Sequence, residues 1–540
     1  MSKGQKSFVA GAAILGIIGL IVKTIGAVFR IPLANMLTED GMAYYQAAYP
    51  MYVFLLAIAS AGMPVAISKM VSERVALNDY KGANDVFRKA FKALLLIGLA
   101  ATVLMLLLSN VIANFVGIPD SSYSFLAIAP SLFFVAAISA YRGYFQGLQM
   151  MSPTAFSQLI EQVGKLGLGL FFANLWKGYG LEYGAAGAML GVTLSEILAL
   201  IFMVVTYNLR KSDIKLQIKK SALMRSRTEE TGIGRRLFIL ALPIIIGACA
   251  MPLVQMADTA IVTNSLVTMG YLQEQAEGLF GLLTGFVNPL INMPAVLSMA
   301  LAMSLVPAIS SSLAKNDIAG ASKKSGMGFK LALLVGLPCA VGFFLLAQPI
   351  MHLLFSKLSG SRLETAGELL SIMAIGVLFL TILQTMTGIL QGLGKTYIPV
   401  INLFIGVAVK VAVSLIFIRM PEVNVKGAAI GTVACYAVAA LLDVIFVIKY
   451  AKFRFNIVEY VFKPVLAVGV MGLFAYFAMP FFITVMSERL ATAATIAGSA
   501  VIYIILLFVF GALKQADMEF IPGGSRITRF MNKLGFWSVK

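Results

Sequence analysis

Long apolar runs separated by short polar breaks pattern the whole chain. They fall at roughly 8–37, 43–69, 91–116, 124–147, 154–176, 184–207, 236–263, 279–307, 327–355, 366–393, 397–419, 427–450, 459–484 and 490–513. Each run is long enough to cross about 30 Å of hydrocarbon as a helix. The pattern predicts an all-α polytopic membrane protein of about 14 transmembrane helices. The first run is long and turns polar at its end, which predicts a break near Pro32. Lys3 and Lys6 precede a run that continues past Lys23 to Arg30 without a small-residue cleavage site, so it reads as an uncleaved first helix. In the eighth run, Asn288 and Asn292 lie one turn apart beside Pro289 and Pro294. That stretch is expected to be kinked or unwound, either as a packing device or because it lines a cavity.

Composition sharpens the class. Of 540 residues 60% are hydrophobic and only 12% charged, and the mean hydropathy is +0.91. A soluble globule cannot be covered with so little polar surface. Cys249, Cys339 and Cys435 lie in apolar runs more than 80 residues apart, so they indicate neither a disulfide framework nor a thiolate site. The lone His352 rules out a multi-histidine metal centre. No metal and no cofactor is expected.

Charge orients the bundle. Arg210, Lys211, Lys215, Lys219, Lys220, Arg225, Arg227, Arg235 and Arg236 crowd segment 208–236, and basic residues also gather at 69–92, 315–330, 449–463 and after 513. These are alternate connections, so they and both termini are expected on the cytoplasmic side. The intervening connections, such as Thr38-Glu39-Asp40-Gly41 and Ile118-Pro119-Asp120, are short and acidic or mixed. The net charge of +18 thus reflects topology and attraction to anionic headgroups of the bilayer. No nucleic acid is expected as a partner.

The two halves repeat. Gly143-Tyr-Phe-Gln-Gly-Leu148 recurs as Gly388-Ile-Leu-Gln-Gly-Leu393, 245 residues later, and Lys165 falls on Lys410 at the same offset. Gly187-Ala-Met-Leu-Gly191 answers Gly427-Ala-Ala-Ile-Gly431, and Ile25-Gly-Ala27 answers Ile246-Gly-Ala248. Duplicated lobes of helices are how many transporters build two gates around one site. The expected organisation is two pseudo-symmetric six-helix lobes, 1–207 and 236–450. A basic linker at 208–235 joins them, two further helices occupy 451–513, and a basic tail occupies 514–540.

Charges at membrane depth mark the candidate site, because each costs about 2.5–3.5 kcal/mol at the centre of a span. Lys23 and Arg30, seven residues apart, point to nearly the same side of the first helix. Lys165 and its repeat mate Lys410 sit mid-span in the fifth and eleventh segments and suggest a cationic site near the pseudo-twofold axis. Alternatively Glu161, one turn before Lys165, neutralises it; the position matching Glu161 in the second half is Gly406. Arg142 either joins the site or snorkels to the headgroups. Glu196 and Asp258 could carry protons or sodium ions, or pair with the lysines. Asp443 reads as interfacial. Gly394-Lys395-Thr396 imitates the end of a phosphate-binding loop, but position 389 is Ile where that motif needs Gly. With no ATPase motif, transport must draw on a gradient, the membrane potential or substrate concentration, and the chain is not expected to be an enzyme.

The stretches Ile25 to Pro32, Ala61 to Lys69, Tyr141 to Leu148 through Pro153-Thr154, and Leu390 to Thr396 with Lys410 carry a resemblance. They are similar to the polysaccharide-exporter branch of the multidrug/oligosaccharidyl-lipid/polysaccharide superfamily, and within it to the SpoVB- and MurJ-like lipid II flippases. The resemblance implies a bundle that alternates between inward-open and outward-open states. In it a cationic cavity would hold the diphosphate and sugars of an undecaprenyl-linked precursor, and a groove by the last two helices would take the lipid tail. Lys23 and Arg30 match the paired first-helix cations of that pattern. The eighth segment departs from it: residues 279–307 hold no charge where MurJ members place an Arg, so Lys165 or Lys410 would have to supply it. The expected function is outward flipping of an undecaprenyl-diphosphate-linked cell-wall precursor in the bacterial cell membrane. Peptidoglycan lipid II is the expected cargo, Lys23, Arg30, Arg142, Lys165 and Lys410 the binding residues, and cell-wall synthesis machinery the expected neighbour. Two alternatives stay open: another lipid-linked polysaccharide unit, or a drug/cation antiporter. The antiporter would need a cavity dominated by carboxylates, whereas here the deepest unpaired charges are positive.

Overall fold

The computed structural model describes residues 3–222, 232–452, 457–515 and 528. Every described element is a helix, as the apolar runs require: in lipid a segment must satisfy its own backbone N–H and C=O groups. Twelve described stretches are long and apolar enough to cross a membrane, and the protein is a multi-pass membrane protein. The fourteen expected segments differ from these in two places. The first two lie in one continuous stretch, Ile21–Ala76. The fifth, Met151–Trp176, drops out because Gln158, Glu161, Gln162 and Lys165 dilute its hydropathy.

The described chain forms two compact units, Met1–Val267 with Tyr271–Gly285, and Thr268–Gly270 with Phe286–Lys540. The first unit opens with α1 (Lys3–Leu56) and α2 (Met63–Ala76). The break in α1 lies at Thr38 (φ 59°, ψ −173°) and not near Pro32, which remains inside the helix. A proline in a membrane helix costs one hydrogen bond that neighbours can replace, whereas Thr38 begins the polar Thr-Glu-Asp-Gly turn. Then follow α3 (Tyr80–Phe115), the short α4 (Ser122–Ile128), α5 (Ser131–Gly147), α6 (Met151–Trp176) and α7 (Leu181–Leu209). The unit is completed by α8 (Lys211–Ala222), most of α9 (Ile233–Thr268) and α10 (Gln273–Gly281). Helix α9 joins it because Ile233, Leu237, Ala241, Ile245 and Cys249 pack in one cluster with Phe87, Tyr144 and Ile214.

Helix α3 shows how a span is patterned for lipid. Its inward stripe is Gly98, Thr102, Met105, Ser109 and Ala113, while Leu96, Leu99, Leu107 and Phe115 are exposed. Small and weakly polar residues allow close helix approach, and lipid solvates the bulky apolar ones.

The second unit contains α11 (Asn288–Ala314), α12 (Ile318–Leu345), α13 (Ala347–Leu354) and α14 (Gly360–Gly392). After these come α15 (Tyr397–Ile418), α16 (Lys426–Ala451), α17 (Lys463–Val485) and α18 (Glu488–Val509). The expected irregularity beside Asn288 is a π-helical turn at Leu282–Val287, one turn earlier. Pro289 has no N–H for the Gly285 carbonyl, so the regular ladder cannot run through it. One turn on, Asn292 donates its side-chain amide to the Asn288 carbonyl at 2.8 Å.

Each unit carries the same N-terminal cap. Asp79 Oδ1 accepts from the Gly82 N–H at 2.8 Å and Asp317 Oδ1 from the Gly320 N–H at 2.7 Å. In both units an Asn in left-handed conformation precedes the Asp: Asn78 at φ 57° and Asn316 at φ 56°. The hairpin after Leu393 turns at Gly394, φ 77°, and the equivalent turn in the first unit uses Gln149 at φ 60°. Gly394 therefore serves a turn that joins α14 to α15, and no strand precedes it.

Candidate functional site

In the first unit the kink at Thr38 folds the two arms of α1 together. Nineteen residues of straight helix would separate Arg30 from Tyr49 by about 28 Å, yet the Arg30 guanidinium carbon lies 5.5 Å from the Tyr49 ring centroid. Lys165 reaches the same ring from α6, with Nζ 4.7 Å from the Tyr49 centroid and 5.5 Å from that of Phe29. Phe29 and Tyr45 are fully buried, Lys165 is 9% exposed, and Tyr45 stacks on Tyr49 at 5.8 Å. Among the described residues neither Arg30 nor Lys165 closes an ion pair. Two cations are thus held beside aromatic faces, which attract them through the ring quadrupole without cancelling their charge.

The nearby carboxylates are committed elsewhere. Glu161 pairs with Arg142 (Nη2 to Oε2, 2.9 Å) and not with Lys165. Arg142 Nε also donates to Ser157 Oγ at 2.9 Å, so Arg142 ties α5 to α6 and does not snorkel. Glu196 on α7 is 3% exposed. The charged groups nearest to it are Glu161, Arg142 and Lys165. Its Oε2 accepts no hydrogen bond among the described residues. Asp258 is half-buried on α9. Lys23 is half-buried, and seven residues of helical rise set it about 10 Å from Arg30 along α1.

In the second unit Lys410 is 4% exposed on α15. Asp443 on α16 is fully buried, accepting from Asn402 Nδ2 at 2.7 Å and Thr387 Oγ1 at 3.0 Å. Asn402 and Thr387 stand at the repeat positions of Ser157 and Arg142. Each unit therefore uses the same two positions for a polar clasp, built on a cation in one and an anion in the other. An apolar cleft of about 450 Å³ lies between α12 and α17, lined by Leu337, Val341, Leu345, Val468, Gly472 and Tyr476 among others. Lys330, fully buried on α12, reaches Glu459 at 3.4 Å, and Lys514 reaches the same carboxylate at 2.7 Å. Tyr503 of α18 donates to the Leu334 carbonyl at 2.8 Å.

The sequence reading missed Tyr49 and its neighbours. Their signal is the spacing Tyr45, Tyr49, Tyr52, which keeps one helix face aromatic just after an acidic turn. Among the described residues no group of three or more His, Cys, Asp or Glu could hold a metal ion.

The family model described as "Polysaccharide biosynthesis protein" matches residues 8–313, and that described as "MatE" matches 243–416. Stage V sporulation protein B of Bacillus subtilis (strain 168) is 29% identical over 520 residues, covering 96% of this chain and 98% of its own. Lipid II flippase MurJ of the same organism is 24% identical over 534 residues, with 95% and 97% covered. Among solved structures, lipid II flippase MurJ in an inward closed conformation superposes with a TM-score of 0.65 at 16% identity, covering 92% of this chain and 98% of that one.

Proposed function

Because the chain belongs to the polysaccharide biosynthesis protein family, within the multidrug/oligosaccharidyl-lipid/polysaccharide flippases, we propose that it moves an undecaprenyl-diphosphate-linked cell-wall precursor, peptidoglycan lipid II, from the inner to the outer leaflet of the bacterial cell membrane. The observation that carries this reading is the pair Arg30 and Lys165, gathered on Tyr49 with no carboxylate paired to either. Desolvated cations are costly to hold. A diphosphate repays that cost through charge-assisted hydrogen bonds that water screens poorly.

Lys23 lies farther along the same helix and extends the basic track, and Lys410 is the repeat counterpart of Lys165 in the second unit. The apolar cleft between α12 and α17 fits the isoprenoid tail, and the Lys330–Glu459–Lys514 bridge together with Tyr503 keeps α17 and α18 seated on α12. Binding drives the change of state only if the ligand holds the occluded state better than the open one. Neutralising the repulsion between Arg30 and Lys165 supplies that difference. Both termini and the 208–235 linker face the cytoplasm in this scheme.

The match of residues 243–416 to the MatE model favours a second reading, a drug or cation antiporter. The deciding experiment expresses the chain in bacteria depleted of their own lipid II flippase and adds a lipid II-cleaving toxin from outside. Cleavage is expected to return, and to be lost with Arg30→Ala and Lys165→Met at unchanged membrane level. No cleavage despite good expression would shift the cargo to another lipid-linked saccharide, with antiport tested next by drug efflux. Cleavage that survives both substitutions would remove the cationic pair from the mechanism.

A further inference from the structure

One buried donor beside the two cations has no acceptor. Tyr45 lies one helical turn before Tyr49 on the same face of α1, and its ring stacks on that of Tyr49 at 5.8 Å with 15° between the planes. The same Tyr49 ring carries Lys165 Nζ at 4.7 Å and the Arg30 guanidinium carbon at 5.5 Å. Tyr45 is 0% exposed, and its hydroxyl finds no acceptor for its proton among the described residues. The ionisable groups nearest to it are Lys165, Tyr49 and Arg30, and the two cations can only donate. Burying an unbonded hydroxyl is unfavourable. A phenylalanine would keep the burial and the stack, so packing alone does not explain the hydroxyl.

We propose that the Tyr45 hydroxyl is the third donor of the anion site, bonding a phosphate oxygen of the ligand that Arg30 and Lys165 hold; this rests on the anion-site reading above. The three donors come from separate segments: Arg30 from the arm of α1 before the kink at Thr38, Tyr45 from the arm after it and Lys165 from α6. A diphosphate, with several acceptor oxygens, can take a bond from each of them. A cationic cargo would meet two like charges and a hydroxyl.

This role separates from a structural one by the sign of two effects. Tyr45→Phe keeps the ring and removes only the unbonded hydroxyl. Without ligand the variant should be as stable as wild type or more so, because a buried polar group with no acceptor is lost. With ligand it should bind more weakly by about tenfold or more, the worth of a hydrogen bond to a charged acceptor. A hydroxyl bonded inside the protein would give the reverse order.

The test uses the full chain in lipid nanodiscs, with farnesyl diphosphate as the probe and farnesol as the same tail without the phosphates. Wild type should bind the diphosphate in preference to farnesol. Tyr45→Phe should lose about tenfold or more of that preference, while its ligand-free thermal midpoint stays level or rises. Ligand-difference infrared spectroscopy of wild type with ring-labelled tyrosine needs no variant: the diphosphate, and not farnesol, should shift a tyrosine C–O band to its hydrogen-bond-donating position. An unchanged diphosphate affinity in Tyr45→Phe overturns the proposal, as does a lowered ligand-free midpoint or a set of tyrosine bands that ignores the bound diphosphate. Wild type that binds the diphosphate no better than farnesol overturns the anion site itself, and Tyr45's place in it.

Discussion

Replacing Arg142 by Ala separates a clasp from a substrate ligand. The guanidinium makes two bonds of 2.9 Å, to Ser157 Oγ and Glu161 Oε2, and the paired side chains are 12% and 21% exposed. Removing one member of a fully buried pair costs about 3–5 kcal/mol, mostly because the partner is left charged and alone. The partial exposure of Glu161 lowers this toward the lower bound, and loss of the bond to Ser157 adds about 1 kcal/mol. Arg142→Ala is therefore expected to destabilise the protein by about 3–4 kcal/mol. Glu161→Gln should cost less, since Arg142 keeps Ser157 and an amide oxygen. The double variant Arg142→Ala with Glu161→Ala should be milder than the sum of its single changes by about 1–3 kcal/mol, the range for directly contacting residues. Fluorescence-detected thermal stability of the detergent-extracted protein reads all four corners of the cycle. If Arg142→Ala leaves the thermal midpoint unchanged while transport falls, Arg142 is a substrate contact and the clasp argument fails. Strict additivity would refute the coupling itself.

Three further outcomes follow from packing. A Cβ at Gly187 would lie 2.5 Å from the Phe172 carbonyl oxygen, whereas one at Gly167 meets nothing within 4 Å. Gly187→Val, on α7, should abolish membrane expression, and Gly167→Ala, on α6, should express normally or gain up to about 1 kcal/mol in thermal stability. Asp443→Asn should cost no more than about 1 kcal/mol in the same assay, because both partners are neutral and the amide reproduces one acceptor; a loss matching Arg142→Ala would show that a cation faces Asp443. Glu459→Gln removes the carboxylate that Lys330 and Lys514 share and should cost about 3 kcal/mol in the same assay, the lower bound for breaking a buried pair.

How far the sequence carried depends on what each feature answers to. Spans were legible because lipid imposes one rule on every residue of a run, and the count shifted only where that rule is broken for another purpose. Helix α6 is too polar to register as a span because it carries Glu161 and Lys165. Pro32 drew attention as a breaker, yet the chain breaks at Thr38, because a membrane helix can absorb a proline more easily than it can continue through a polar turn. Charged residues at depth could be named from the chain; their partners could not. Glu161 stands one turn from Lys165 but is taken by Arg142 from another helix, and i,i+4 spacing holds no information about a neighbour nineteen residues away.

The duplication holds more than its visible motifs. Its offset of 245 residues superposes Arg142 on Thr387 and Ser157 on Asn402, pairs that share no chemistry and so leave no trace in a sequence comparison of the halves. Yet both pairs take part in polar clasps between helices: Arg142 bonds Ser157 and Glu161 across α5 and α6, and Thr387 and Asn402 both donate to Asp443 on α16. The two positions are kept while the chemistry differs. A clasp needs only one charge and complementary donors or acceptors, so either half can change its chemistry without losing the joint. The first unit buries a further carboxyl, Glu196, on α7, and gathers two cations, Arg30 and Lys165, on the single ring of Tyr49. Duplication gave both units a common scaffold, and the asymmetry between them makes the first unit, where Arg30 and Lys165 meet on Tyr49, the place to test for anion binding.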